Sequence, residues 1–304
     1  MTSAASTAPP TDLPAIGLVG IWTGVLNSVP PAEGVAIAAE LERLGYGALW
    51  LSDGLIRDPY ILASLVLAGT SRLVFATGIA NIRARSAVAT AAAVATLNIA
   101  FPQRFLAGLG VSHAELVEPL LGVPYDRPLA IMAEYLSRMD AAAAAGAAPV
   151  RPRILAALGP KMLELARDLA DGAHPYLTTP AHTAFARGVL GPSKLLAPEQ
   201  AVVLSTDRET VLARARQHLT IYLRLPNYVN NWRRLGFDEA DFAGGGSDRL
   251  VDALVAGGDG AAIRQRVDDH LSAGADHVCL QVLGPDPRVP PMADWRALAS
   301  QVLA

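Results

Sequence analysis

The sequence predicts a (β/α)8 TIM barrel, an α/β fold in which parallel strands alternate with helices. Three observations predict it. Eight short apolar runs recur along the 304 residues, each has a helical pattern beside it, and hydrophobic residues make up 52% of the chain. A chain of this length has ample material for one large core. A doubly wound open sheet is the alternative, and the count of eight strand–helix pairs favours the barrel.

The elements follow in order. Residues 1–14 (MTSAASTAPPTDLP) lack the basic start and apolar run of a signal peptide. They read as a disordered tail, leaving 15–304 as a single barrel domain. Ile16–Trp22 is the first strand, and Ala32–Leu44 is a helix stopped by Gly45. Ala48–Ser52 is the second strand; Asp58 then caps a helix with Pro59 at its first position. Leu73–Thr77 is the third strand, followed by an alanine-rich helix ending before Pro102. Phe105–Leu109 is the fourth, followed by a helix over Pro128–Ala145. Ile154–Leu158 is the fifth, with a helix from Pro160 to Ala170, and Ala173–Leu177 is the sixth, with a helix from Pro180. Ala201–Leu204 is the seventh, capped by Thr206 or Asp207 into a helix reaching Arg224. The helix Ala261–Ser272 precedes the eighth strand, His277–Leu283. Residues 226–260 break the repeat and read as an insertion between the seventh and eighth units, with a helix Arg249–Val255 after the flexible loop Gly244-Gly245-Gly246.

Composition excludes several functions. The net charge is -3 and no basic block occurs, so no nucleic-acid partner is expected. The longest apolar stretch, Ser86–Ala100, is mostly alanine and shorter than the roughly 20 residues a spanning helix needs, so no membrane partner is expected. Cys279 is the single cysteine and cannot close an intrachain disulfide, which fits a cytoplasmic location. The histidines show no metal spacing, and neither H-E-x-x-H nor C-x-x-C occurs, so no metal is expected. The second and third helices carry few charges, and a helix apolar all round is buried, so a homodimer through that side is expected.

Residues unusual for packing gather at the strand ends, where a barrel places its chemistry. They are Asp53 after the second strand, Thr77-Gly78-Ile79-Ala80-Asn81 after the third, and Val111-Ser112-His113 after the fourth. Gly159-Pro160-Lys161-Met162 follows the fifth, and Thr178-Thr179 the sixth. Gly159-Pro160 opens a helix straight after a strand, which suits a phosphate on free amides and the helix dipole, although an ordinary strand–helix turn reads the same way. Gly110-x-Ser112-x-Ala114 has the outline of a nucleophile elbow, but His277 stands at the start of the last strand where a hydrolase needs a histidine after it.

With these segments in place, the chain resembles the bacterial-luciferase-like superfamily of barrel oxidoreductases. Within it, the likeness is to the actinobacterial branch dependent on the deazaflavin coenzyme F420. The segments that carry it are Ala76–Ile82, Arg104–His113, Tyr125–Pro128, Gly159–Met162, Pro226–Tyr228 and Gly274–Val278. The resemblance implies a non-prolyl cis peptide at Gly78-Ile79, backing the ring of the cofactor. It also implies that Val111 and Ser112 line the ring or ribityl chain, and that Leu158, Gly159 and Met162 hold the tail and its phosphate. Asp53 would sit beside the reactive ring carbon, and Asp53 and His113 are the acid/base candidates. Gly54 stands where the sugar-phosphate dehydrogenase branch has a catalytic histidine, and Val111 where that branch has a glutamate. Glucose-6-phosphate is therefore not the expected substrate.

The implied reaction is hydride transfer between the deazaflavin C5 and a small organic substrate, reducing a C=C or C=N bond. An FMN-dependent luciferase-like monooxygenase is the alternative, and a relative that binds the cofactor without turnover is a third reading.

Overall fold

Short strands rich in β-branched and aromatic residues alternate with helices opened by Pro, Asp, Ser or Thr, and the computed structural model, which describes residues 13–54, 56–146 and 150–303, follows that pattern. Most of the expected 1–14 tail lies outside the described residues. The strands are β1 Val19–Thr23, β2 Ala48–Leu51, β3 Val74–Thr77, β4 Ala80–Asn81, β5 Phe105–Gly110 and β6 Arg153–Leu155. They continue as β7 Gly172–Ala173, β8 Leu195–Leu196, β9 Glu199–Leu204, β10 Val255–Gly258 and β11 Val278–Val282.

The ladders between these strands are parallel, in the order β10-β9-β11-β1-β2-β3-β5-β6-β7-β8, with β4 paired to β5. Only residues 197 and 198 separate β8 from β9, and hydrogen bonds cross that break on both sides. Ala197 N donates to Ala173 O at 3.0 Å, Glu199 N to Pro175 O at 2.8 Å, and Cys279 N to Pro198 O at 2.9 Å. The β8 end of the path thus runs on into β9, which also pairs β10 and β11, in segment 195–204. The result is an α/β fold with a curled parallel sheet.

Both faces of the sheet are apolar, as parallel strands covered on both sides must be. On one face Leu49, Leu51, Phe75, Phe105 and Leu155 pack against helical residues such as Ile37, Leu41, Val66 and Val94. On the other, Trp22, Trp50, Ala76, Leu106, Ile154, Ala197 and Cys279 pack together inside the curl.

Several expected boundaries move. The fifth strand stops at Leu155 and the sixth at Ala173, well short of Leu158 and Leu177. Pro175 has no N–H to give a ladder, and Leu177 adopts a positive φ of 54°, so the chain leaves the sheet there. The seventh strand begins earlier, at Leu195, interrupted at Pro198. Within 226–260 the helices are Pro226–Arg234, Glu239–Phe242 and Asp248–Leu254, the last ending one residue before Val255, and Val255–Gly258 is a strand pairing β9. The helix Ala114–Leu121 was also not expected, because Pro119 interrupts its pattern.

Candidate active site

The carboxyl ends of β2, β3, β5, β6 and β7 carry the residues singled out above. Gly78-Ile79 is a cis peptide between β3 and β4. Strand β5 passes this bulge closely enough to require its own glycines. A Cβ on Gly108 would stand 1.8 Å from Thr77 O, and one on Gly110 would stand 2.4 Å from Ile79 Cδ1. The Thr77 hydroxyl is consumed here, donating to Gly108 O at 2.7 Å and accepting from Gly108 N at 2.8 Å. Thr77 therefore holds the bulge.

Beneath the bulge lies a column of rings. Trp22 Nε1 donates to Gly78 O at 2.8 Å, and its ring lies 5.0 Å from that of Tyr176. Trp50 stacks on His174 at 4.5 Å and donates to His277 Nε2 at 3.1 Å. His174 and His277 each hold a backbone carbonyl through Nδ1, Ala197 O at 2.6 Å and Gly17 O at 2.8 Å. Burial pushes both imidazoles down to about 4, so they are neutral at pH 7.

Asp53 is tied into a network. Its Oδ2 accepts from Arg85 Nη1 at 2.6 Å and from Asn81 N at 3.1 Å, and Arg85 Nε also donates to Asp58 Oδ2 at 3.0 Å. Its side chain is fully buried. The carboxylate thus fixes the end of the bulge, with Ala80 and Asn81 buried behind it. At Gly54 a Cβ would meet nothing closer than 3.7 Å, so the position is spacious.

Ser112 has a positive φ of 62°, which turns His113 toward the insertion. The His113 ring lies 5.6 Å from Tyr228, and its side chain is hydrogen-bonded to Asn227. Burial holds the imidazole below its ordinary range. Ser112 makes no side-chain cap; its carbonyl accepts from Tyr125 Oη at 3.0 Å. Val111 packs against the core.

The remaining residues form a polar cluster where two helices begin. Gly159 precedes the helix Pro160–Leu169, and Thr179 caps the helix Pro180–Leu190 by accepting from His182 N at 3.2 Å. Leu158 O accepts from His182 Nε2 at 2.8 Å. From the helix Pro226–Arg234, a guanidinium nitrogen of Arg234 lies 3.5 Å from the position of a Cβ on Gly159, and Arg234 Nη1 donates to Asn231 Oδ1 at 3.2 Å. Among the described residues, Thr178 Oγ1, His182 Nδ1 and Asn231 Nδ2 are buried side-chain atoms without a hydrogen-bond partner. Lys161 is exposed, while Met162 packs on the core.

Sequence reasoning missed Trp22, Tyr176, His182 and Arg234. Among the described residues, no three His, Cys, Asp or Glu side chains gather in a metal-holding arrangement, and no helix is long and apolar enough to cross a membrane.

The arrangement can seat a flat ring against the bulge and an anion with neighbouring hydroxyls at the paired helix starts. The chain is similar to several known proteins. A Mycobacterium tuberculosis protein described as a coenzyme F420-dependent oxidoreductase is 25% identical over 87% of this chain and 90% of its own. An F420-dependent secondary alcohol dehydrogenase, solved with an F420–acetone adduct, superposes with a TM-score of 0.74 at 14% identity, covering 94% of this chain and 98% of that one. The oxygenating constituent of 3,6-diketocamphane monooxygenase from Pseudomonas putida, solved with FMN, gives 0.68 at 12% identity, covering 93% and 96%. The family model described as luciferase-like monooxygenase matches residues 17–277, and the chain belongs to that family.

Proposed function

We propose that this protein is a coenzyme F420-dependent oxidoreductase that transfers hydride between the deazaflavin C5 and a small organic substrate, reducing a C=C or C=N bond. It does so on a closed (β/α)8 barrel in which β8 and β9 act as one strand, with the insertion following the seventh unit. The observation that carries the reading is the donor set around Gly159. Arg234, Asn231 Nδ2, Thr178 Oγ1 and the amides opening the helix Pro160–Leu169 suit a phosphate. His182 donates through Nε2 to Leu158 O, which leaves neutral Nδ1 as an acceptor suited to a ribityl hydroxyl.

When bound, the deazaflavin supplies a two-electron hydride chemistry without the ring nitrogen through which flavins react with oxygen. The chain supplies the rest. Gly78, Ile79, Ala80 and Val111 would flank the ring, and Ser112 the ribityl chain. Leu158, Gly159, Pro160, Lys161, Met162, Thr178 and Thr179 would surround the tail. Asn81 and Asp53, with Arg85, fix the bulge, while neutral His113 meets the substrate under the insertion helix. The open space at Gly54 suits a bulky substrate. We further propose a cytoplasmic homodimer.

An FMN-dependent monooxygenase is the second reading, favoured by the FMN-bound structural neighbour, because the same phosphate and ribityl contacts serve either cofactor. Fluorescence titration with oxidised F420 and, separately, with FMN decides between them. Tighter F420 binding supports the reductase, tighter FMN binding the monooxygenase, and binding of neither overturns both.

A further inference from the structure

A hydride added to a C=C or C=N bond must be matched by one proton, and the mouth of the sheet holds a group suited to give it. Tyr176 follows β7, and its ring rests on Trp22, which in turn holds Gly78 O. Tyr176 Oη donates to Gln281 Oε1 at 2.7 Å and accepts from Tyr222 Oη at 2.9 Å, with His218 Nε2 at 3.4 Å. Both tyrosines are half-buried, and desolvation by burial raises both phenols above their ordinary range.

Glu199 belongs to the same group. It is fully buried at the start of β9, where Oε2 accepts from Leu177 N at 2.8 Å and Oε1 has no hydrogen-bond partner among the described residues. The titratable groups that feel its charge are Tyr176, Tyr222 on the helix Arg208–Tyr222, Tyr228 on the helix Pro226–Arg234, and Cys279 on β11.

Resting on the hydride-transfer reading above, we propose that the Tyr176–Tyr222 hydroxyl pair supplies the reaction's proton and that Glu199 is the positioning residue that controls its release. Hydride forms the new C–H bond with its own electron pair. The displaced π pair of the substrate takes the phenolic proton, so one O–H bond of the pair breaks. The tyrosinate left behind is shared across the Tyr176–Tyr222 contact and regains a proton from solvent. In the oxidative direction the same pair accepts the proton.

Glu199 acts through charge. Burial pushes its carboxyl up to about 8, so at pH 7 it is neutral and does not oppose a tyrosinate beside it. Above that pH it ionises, and its negative charge makes the pair a weaker acid. Reduction therefore slows as the pH rises through the Glu199 transition. His218, which burial holds neutral down to about 4, adds no positive charge to offset it.

Infrared titration of the cofactor-free full chain tests the coupling without turnover. Wild type is expected to show a protonated-carboxyl band that E199Q lacks, that disappears near pH 8, and whose frequency or midpoint shifts in Y176F and Y222F. A carboxyl titrating in the ordinary range, or a band indifferent to both tyrosine variants, overturns the proposal. Turnover with reduced F420 and cyclohexenone as the probe acceptor gives the second readout. Y176F is expected to lose kcat on the order of 10²-fold with KM little changed, and E199Q to lose the alkaline decline of the pH–kcat profile. Y176F that binds F420 and turns over at the wild-type rate overturns the proposal alone. A wild-type chain that binds no F420 overturns the functional reading beneath it.

Discussion

Replacing Trp22 by phenylalanine separates support of the bulge from general packing, because Trp50 in the same column provides a matched control. Trp22→Phe removes the donor to Gly78 O, leaving a buried carbonyl without its partner. That costs about 1–3 kcal/mol, and the smaller ring adds about 1 kcal/mol of lost packing. Trp50→Phe removes a donor to His277 Nε2 and shrinks a fully buried ring, so its cost is of the same size. Both variants should lower Tm by roughly 5–10 °C, at a few degrees per kcal/mol for a chain of this size. Of the two tryptophans, Trp22 is the one hydrogen-bonded to the bulge. Trp22→Phe should therefore also weaken F420 binding about tenfold, equivalent to about 1.4 kcal/mol, whereas Trp50→Phe should stay within about threefold of wild type. Thermal unfolding and fluorescence titration of the same samples read both quantities. Equal loss of affinity in the two variants would refute the view that Trp22 transmits to the cofactor site.

Three further outcomes follow. Arg234→Ala should weaken cofactor binding by about tenfold at low ionic strength and by less at high salt, because its exposed guanidinium is screened; two titrations at different salt check this. Light scattering should give a dimer at micromolar concentration, and Ile61→Asp or Val88→Asp should yield monomers, since these side chains are 64% and 63% exposed on otherwise apolar helices. A monomeric wild type would end that expectation. Stability should peak near pH 6.5. His174 and His277 fall from 6.5 to about 4 on folding, so each adds about 3 kcal/mol that is lost as pH drops through that window. Glu199 rises from 4.5 to about 8, so its contribution is lost as pH climbs through that range, and denaturant melts of E199Q should show a flatter alkaline side.

What was legible in the sequence is what depends on local pattern. Asp58 and Asp207 cap helices as expected, and Gly45 ends one with a φ of 98°. The cis peptide at Gly78-Ile79 came from the resemblance and is present. Illegible features depend on distant neighbours. Val255–Gly258 offers two apolar residues before two glycines, which reads as the fraying end of a helix until β9 pairs with it. Thr77 and Asp53 stand at strand ends where ligand contacts are expected, but Gly108 and Arg85, each more than 30 residues away in sequence, occupy their polar atoms. Arg234 shows the reverse. An arginine in an irregular segment carries no signal until folding brings it beside Gly159.

The position of β11 bears on how the chain matures. It lies between β1 and β9, so two of the sheet's parallel ladders wait for residues 278–282, which leave the ribosome after every other strand. Until then β1 and β9 present bare edges, the kind of surface that pairs with other chains. A nascent or truncated chain lacking β11 would thus be prone to sticking to its own kind. Cleavage that removes Val278–Val282 should accordingly damage the yield of folded protein.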